Sequence, residues 1–387
     1  MDNNADKINK VRFGAHPHAD MHCDSLLHGY RSGTDSIYTG MWNADGSPRS
    51  MQSISQMAEG GQLLQFFAVF FPEQDYIDGW TTPEEGHQKL HLPSDDIFFD
   101  TCVKWLHREV EQHSDVAALA RNAAEVRTNY ENGKVSAVLT IEDGRFVNSD
   151  ITRFAALKKI GVSAIALTWN HPNCLGWPNS DDPEIMNRPL TAFGQEAIAE
   201  MNRCRILIDV SHLNDGGFMD VARLSKAPFI ASHSNCRAIT SHRRNLTDEM
   251  IRIIADKGGV CGLNFCEDFV NPDSVMKDER AYTERYVQWK GKITEDVLKA
   301  AREAFRRHDI LPALPEDLAA HVLHMLNVGG EDVIAIGSDA DGFDCISEIN
   351  EPNKMSILFD VLQKKGLTSR QLDKFASGNV LRVMEEL

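Results

Sequence analysis

The feature that most constrains this chain is a series of eight short apolar runs, each ending in polar residues. Short runs rich in Val, Ile, Leu and Phe are typical of strands buried on both faces of a parallel sheet. Segments with a helical pattern separate the runs, so the sequence predicts an α/β fold, a (β/α)8 TIM barrel. The runs are His16–Asp24, Leu64–Phe71, Val135–Glu142, Ser163–Asn170, Arg205–His212, Pro228–His233, Gly259–Phe265 and Val333–Asp339.

Helices are predicted between these runs. Thr247 precedes two acidic residues, as an N-cap does at the start of a helix, and Gly258 and Gly259 mark the end of the same helix. A doubly wound open sheet would also alternate, but its Gly-x-Gly-x-x-Gly motif after the first strand is missing here. The barrel is therefore favoured. The predicted helices are Cys102–Tyr130, Ile151–Ile160, Ala192–Arg203, Gly216–Leu224, Thr247–Asp256 and Glu316–Asn327.

Two connections are longer than a barrel needs. Asp24–Glu59 follows the first strand, and Cys266–Pro315 separates the seventh strand from the eighth. The second connection contains Thr294–His308, whose acidic start and basic end complement a helix dipole. We predict a single barrel domain over residues 1–387, with a helical insertion at about 266–315 that lies over the active-site face.

Composition limits the classes of binding partner and the cellular compartment that we expect for this protein. The formal charge of −17, without a basic stripe, argues against nucleic acid and anionic membranes as partners. Eight cysteines without a Cys-x-x-Cys pair give no zinc-ribbon or thioredoxin-like signature. The first 30 residues show no apolar targeting segment, and Leu63–Phe71 is too short to span a bilayer. We therefore expect a cytoplasmic protein with reduced thiols.

The candidate functional residues lie at the strand ends. His22 and Asp24 share one face of the first strand, because alternate residues of a strand point the same way. Glu142, His212 and His233 end the third, fifth and sixth runs. Since the strand ends of a barrel converge on its C-terminal mouth, where catalytic groups collect, we expect these five side chains to meet there.

The chemistry of this set predicts a metal centre. Imidazole and carboxylate ligands without thiolate suit Zn²⁺, with Mn²⁺ and Fe²⁺ as alternatives. Two His-containing pairs that share a bridging carboxylate could hold two ions about 3.5–4 Å apart and activate a bridging hydroxide. Asp339, at the end of the eighth run, would then act as general base and general acid.

These residues belong to motifs that follow one another along nearly the whole chain. They include D-x-H-x-D at Asp20–Asp24, I-E-D-G at Ile141–Gly144, L-T-W-N at Leu167–Asn170, D-V-S-H at Asp209–His212, A-S-H-S at Ala231–Ser234, R-R-N-L at Arg243–Leu246, G-S-D-A-D-G at Gly337–Gly342 and G-N-V-L-R-V at Gly378–Val383. In content and order they resemble the membrane (renal-type) dipeptidase family of zinc peptidases, which are amidohydrolase-like barrels.

The resemblance implies a ligand set with two Zn²⁺ ions per chain. His22 and Asp24 would hold one ion. His212 and His233 would hold the other. Glu142 would bridge the two.

The resemblance also implies roles in substrate binding and catalysis. Arg244 would bind the free carboxylate of a small dipeptide, and Asp339 would be the catalytic acid. A homodimer is a further expectation of this family. The sequence departs from the family where a substrate-contacting histidine usually follows Leu-Thr directly. Here Trp169 and Asn170 come before His171. Either His171 fills that role or the role is altered in this chain.

The function predicted is therefore hydrolysis of small dipeptides by a binuclear zinc enzyme. The alternative is a metal-dependent phosphoesterase, or another amidohydrolase-type hydrolase on the same barrel. A phosphoesterase of the histidinol-phosphatase kind would carry histidines where this chain has Asp24 and Asp341. Many deaminases and lactonases use a modified bridging lysine where this chain has Glu142. A non-catalytic scaffold would lack a ligand or the acid, and the sequence retains all of them.

Overall fold

Eight parallel strands close into a barrel. The computed structural model describes residues 10–27, 52–73, 92–271, 294–296, 299, 313–343, 349 and 351–387. Neighbouring strands pair in parallel around the ring, and the pairing of the second strand with the fourth closes it. The described strands, of which all but β3 form the ring, are β1 Ala19–Cys23, β2 Leu64–Phe70, β3 Ala117–Leu119, β4 Val135–Glu142, β5 Ala164–Ala166, β6 Leu207–Asp209, β7 Ile230–Ala231, β8 Val260–Leu263 and β9 Ile334–Ile336. The predicted barrel is confirmed, and each predicted run contains one of its strands.

Helices follow the strands on the outside of the barrel. They are α1 Ile54–Glu59, α2 Asp95–Gln112, α3 Ala123–Glu131, α4 Thr152–Ile160, α5 Pro183–Met186, α6 Ala192–Cys204, α7 Asp215–Leu224, α8 Asp248–Asp256, α9 Glu267–Val270, α10 Pro315–Gly329, α11 Ser356–Lys364, α12 Ser369–Asp373 and α13 Asn379–Met384. The predicted cap of α8 is confirmed, because the Thr247 side chain accepts the backbone N–H of Met250. Gly258, just beyond α8, has a φ of 73°, in the left-handed region that favours glycine.

The prediction of one helix over Cys102–Tyr130 is wrong. The segment contains the end of α2, the short strand β3 and most of α3. Helix α2 ends at Gln112, before β3. Asn122, whose backbone is extended and whose side chain accepts the N–H of Glu125, then starts α3 as a separate helix. Strand β3 pairs with the first residues of β4, outside the ring of eight. Its three residues are too few to show a strand period within an Ala-rich stretch.

A single apolar cluster links all eight strands of the barrel and fills its interior. The residues that the strands contribute include Met21, Phe66, Val138, Ala164, Leu207, Ile230, Val260 and Ala335. Val380 and Val383 of α13 join the same cluster. Arg382 donates to the carbonyls of Gly258, Gly259 and Asp332, which lie just before β8 and β9. Helix α13 therefore covers the N-terminal end of the barrel, and the opposite end carries the candidate site.

The predicted insertion lies mostly outside the described residues. Its described start forms α9, and most of Thr294–His308 is not described. The insertion and the single-domain organisation therefore stay predictions. None of the described helices combines the length and the apolar character that a membrane crossing requires.

Candidate metal centre

The C-terminal strand ends bring the five predicted ligand residues together. His22 lies in β1, Asp24 directly follows that strand, and Glu142 is the last residue of β4. His212 follows β6 and His233 follows β7. All five are buried, with between 0% and 8% of their surface exposed. Asp339, after β9, is more open, since 15% of its side chain is exposed.

Glu142 lies between two groups of ligand atoms. Its Oε2 is 3.2 Å from His22 Nε2, and its Oε1 is 3.0 Å from His212 Nε2 and 3.7 Å from His233 Nε2. Asp24 Oδ2 lies 3.7 Å from His22 Nε2 and completes the first group. Within each group the ligand atoms lie within 4.8 Å of one another. The carboxylate of Glu142 thus has one oxygen toward each group.

The hydrogen bonds behind two of the histidines fix where their protons are. His212 Nδ1 lies 3.2 Å from the Oδ1 of Asn170, which accepts a hydrogen bond. His233 Nδ1 lies 2.7 Å from Ser232 Oγ, which donates its own proton to Asp209. These partners favour, for both rings, the tautomer with the proton on Nδ1 and a lone pair on Nε2.

The atoms that face one another in the centre fit a cation. The two Nε2 lone pairs lie 3.0 Å apart and both face Glu142. Among the described residues, His22 Nε2 and Asp24 Oδ1 are buried without a hydrogen-bond partner. Lone pairs and carboxylate oxygens at such distances repel one another unless a positive ion lies between them. Neutral imidazole and carboxylate are the donors that divalent transition metals take.

Burial shifts the pKa values of two acids and two histidines in this cluster. It raises the pKa of Glu142 to about 8 and that of Asp339 to about 6, while the neighbouring His22 opposes both shifts. Burial also lowers the pKa values of His212 and His233 well below the usual range. For His22 burial acts in the same direction, but the charges of Glu142 and Asp24 prevail and raise the pKa well above its usual value. A bound cation would replace the protons that this cluster otherwise holds.

The backbone is strained where the functional side chains leave the strands. Asp143, His212, Asp339 and Asp341 have φ values of 73°, 67°, 62° and 68°. Left-handed backbone costs a residue other than glycine roughly 1–3 kcal/mol and is found mainly at functional sites. Asp143 accepts bonds from the Arg145 N–H and from Asn173, which hold the turn after Glu142. Its role was missed in the sequence, where Asp-Gly after a strand was the available signal.

Arg244 lies in the interior beside the centre. It is 6% exposed, and its guanidinium lies 5.4 Å from the ring centre of Phe269. Its Nη1 donates to Ser234 Oγ at 3.3 Å and its Nη2 to the carbonyl of His233 at 3.4 Å. Arg243, the neighbour that sequence alone could not distinguish from it, is instead paired with Asp181 at the surface. A buried guanidinium next to a ligand residue suits the recognition of a carboxylate.

His171 is exposed on the loop after β5, and Asn170 is the loop residue that bonds to His212. The ring centre of His171 lies 5.8 Å from that of Trp169, which in turn lies 6.4 Å from His212. The substrate-binding role of His171 stays a prediction. Asn264 was also missed in the sequence: it donates to Asp339 Oδ2 at 2.9 Å and to the His233 carbonyl at 3.3 Å.

A parallel barrel with imidazoles and carboxylates gathered at its C-terminal mouth defines a metal-dependent hydrolase. The family model described as membrane dipeptidase (Peptidase family M19) matches residues 8–387. The chain belongs to this family, and the resemblance seen in its motifs is confirmed.

Two known relatives are similar to this chain over most of its length. The chain is 27% identical to an uncharacterized dipeptidase of Schizosaccharomyces pombe over 354 residues, which are 87% of this chain and 72% of the relative. An uncharacterized protein in the pqqA 5′ region of Klebsiella pneumoniae is 29% identical over 275 residues, which are 70% of this chain and 88% of the relative.

Two solved structures share the fold over nearly the full length of both chains. The dipeptidase AC, a metallopeptidase of family M19, is 26% identical with a TM-score of 0.75, covering 96% of this chain and 99% of that one. A metallopeptidase of Rhodobacter sphaeroides, liganded with a phosphinate mimic of the dipeptide L-Ala-D-Ala, is 25% identical with a TM-score of 0.74 and the same coverage. The protein is a metallo-dipeptidase.

Proposed function

We propose that the protein cleaves the peptide bond of small dipeptides with two Zn²⁺ ions held around Glu142. The observation that carries this proposal is the position of Glu142, whose two carboxylate oxygens face different groups of ligand atoms. His22 and Asp24 form one group, and His212 and His233 form the other. A single carboxylate between two such groups is the arrangement that two-metal hydrolases use.

Bound Zn²⁺ would supply an activated water at neutral pH and would polarise the scissile carbonyl. The chain itself moves the protons, and Asp339 is placed to do so. Its Oδ1 lies 3.7 Å from His22 Nε2, and its Oδ2 accepts a bond from Asn264. Asn264 thus fixes the carboxylate, and the more open side chain of Asp339 can take a proton at the centre and pass it to the leaving amine.

Arg244 sets the length of the substrate on one side of the bond. Its guanidinium donates to the backbone carbonyl of His233, one of the proposed ligand residues, so Arg244 lies beside the centre. A free carboxylate bound by the Arg244 guanidinium belongs to the residue directly after the scissile bond. A substrate with further residues after that bond would carry its carboxylate too far from the scissile carbonyl. The geometry therefore favours removal of a single C-terminal residue.

The test is metal content together with activity. Protein stripped with a chelator and reloaded with Zn²⁺ is assayed on a panel of dipeptides, on the matching tripeptides and on simple phosphomonoesters. We expect about two Zn²⁺ per chain by elemental analysis, cleavage of the dipeptides and no release of phosphate. Any cleavage of the tripeptides should release only their C-terminal residue. Zinc-loaded, folded protein that releases phosphate but no amino acid would establish the phosphoesterase alternative instead. Protein inert toward the whole panel would overturn the proposal.

A further inference from the structure

Two buried aspartates bind the neighbouring strand in the same way. Asp209 Oδ1 accepts the N–H groups of Ser211 and Ser232, each at 2.9 Å, and its Oδ2 accepts the hydroxyl of Ser232. Asp20 Oδ1 accepts the N–H of His22 at 3.2 Å and that of Ser338 at 2.9 Å. Its Oδ2 accepts the Ser338 hydroxyl at 2.5 Å and the side-chain amide of Gln52 at 3.5 Å.

The two serine hydroxyls differ in what else they touch. Ser232 Oγ lies 2.7 Å from His233 Nδ1, so a chain of hydrogen bonds runs from that ring through Ser232 to Asp209. Ser338 Oγ instead accepts the backbone N–H of Ala340 at 3.3 Å. The first aspartate is therefore connected to an imidazole, and the second is connected to backbone.

We propose that Asp209, acting through Ser232, is a positioning residue for His233 that holds the ring proton on Nδ1 and so leaves the Nε2 lone pair for a metal ion. An ionised carboxylate can only accept, so the Ser232 hydroxyl donates to Asp209 and presents its lone pairs to His233. His233 must then donate from Nδ1. The inference rests on the proposed role of His233 as a metal ligand.

The substitution Asp209→Asn reverses the direction of this hydrogen-bond chain without changing its shape. Oδ1 keeps its two backbone donors, so the amide nitrogen takes the place of Oδ2 and donates to Ser232. The displaced hydroxyl proton turns to the nearest acceptor, which is His233 Nδ1 at 2.7 Å rather than Ser211 Oγ at 3.3 Å. The ring must then carry its proton on Nε2, where the proton blocks the metal.

The matched control is Asp20→Asn, which removes the same charge and the same kind of serine bond from an equally buried site. The affinity of metal-stripped protein for Zn²⁺ is measured by competition with a chromogenic chelator. We expect Asp209→Asn to weaken the binding by about 10- to 100-fold, and Asp20→Asn by less than about threefold. Equal effects of the two substitutions would overturn the inference.

A second readout needs no metal. The ¹⁵N chemical shifts of selectively labelled histidines in metal-free protein report the tautomer of His233, assigned by comparison with a His233→Gln variant. We expect the proton on Nδ1 in the original protein and on Nε2 in Asp209→Asn. An unchanged tautomer would refute the inference, whereas a protein that binds no Zn²⁺ but shows the tautomer change would refute only the proposed function.

If Asp209→Asn does not fold, Ser232→Ala takes its place with Ser338→Ala as its control. Ser232→Ala leaves Asp209 with two of its donors and His233 Nδ1 without its acceptor. We expect weaker Zn²⁺ binding in Ser232→Ala than in Ser338→Ala. Equal binding in the two variants would refute the role of the hydrogen-bond chain.

Discussion

Acid should destabilise this fold through His321, at a distance from the candidate metal centre. The ring lies in α10 with 0% of the residue exposed. Its Nδ1 accepts the backbone N–H of Cys236 at 3.1 Å, and its Nε2–H donates to the carbonyl of Val270 at 2.9 Å. The neutral ring satisfies both partners, and a second proton on Nδ1 would face the N–H of Cys236. Burial lowers the pKa of His321 to about 4.

The size of the effect follows from the difference between folded and unfolded states. An unfolded histidine has a pKa of about 6.5, so the unfolded chain takes up this proton first as the pH falls. The stability is therefore intact above about pH 6.5 and is lost as the pH falls toward about 4. The loss for this one ring is about 2 kcal/mol at pH 5 and approaches about 3 kcal/mol below pH 4.

The assay compares His321→Gln with the original protein, because glutamine offers one acceptor and one donor but does not titrate. The free energy of unfolding of metal-stripped protein is measured in urea at about pH 7.5 and at about pH 5. We expect its fall between the two pH values to be about 2 kcal/mol smaller in the variant.

The matched control is His324→Gln in the same helix, where the ring pairs with Asp248 at a partly exposed site. This variant keeps the buried His321 and should retain the full acid sensitivity. Equal losses of free energy in the original protein and in His321→Gln would refute the reasoning.

Three further predictions concern the centre. Arg244→Gln should lower kcat/KM for dipeptides by about 10- to 100-fold, because a charge-assisted bond to the substrate carboxylate is lost, whereas Arg243→Gln at the surface should change it by less than about twofold. Steady-state kinetics measure both values, and equal effects of the two substitutions would show that Arg244 does not bind the substrate. Asp339→Asn should lower kcat by about 100-fold or more while Zn²⁺ content, measured by elemental analysis, is retained; an active variant would exclude the proposed acid. Asn170→Ala should weaken Zn²⁺ binding about 10-fold, because His212 loses the partner of its Nδ1–H, whereas His171→Ala should leave the binding unchanged. Zn²⁺ affinity is measured by calorimetric titration, and weaker binding in His171→Ala than in Asn170→Ala would contradict this prediction.

The sequence predicts the strands and helices whose formation depends on their own residues. Each apolar run contains a strand of the barrel wall, so its composition marked the strand, and the polar ends of five runs marked the predicted ligands and acid. The same logic failed at β3, which is held by its pairing with β4 rather than by its own pattern. It also could not separate Arg244 from Arg243, because the burial of Arg244 depends on its contacts with Phe269 and with the residues that follow β7.

The groups behind the ligands were beyond sequence reasoning for a related reason. Asp209 lies within a sequence motif, but its proposed function depends on Ser232, which directly follows the neighbouring strand. Asn264 acts on Asp339, which lies 75 positions away along the chain. Hydrogen bonds between strands of this kind become visible only when the register of the barrel is known.

The junction between β1 and β9 has a consequence for the order in which the molecule folds. Backbone pairing there is sparse, with Asp20 opposite Ile336 and a bridge between Cys23 and Ala340. The side chain of Asp20 adds bonds to Ser338, a residue 318 positions away in the chain. Contacts between such distant positions form late, because a long loop must close before they are made. His22 and Asp24 lie on one side of this junction, so the five predicted ligands come together only in the closed barrel. We therefore expect the rate at which metal is captured during refolding to follow the rate of closure.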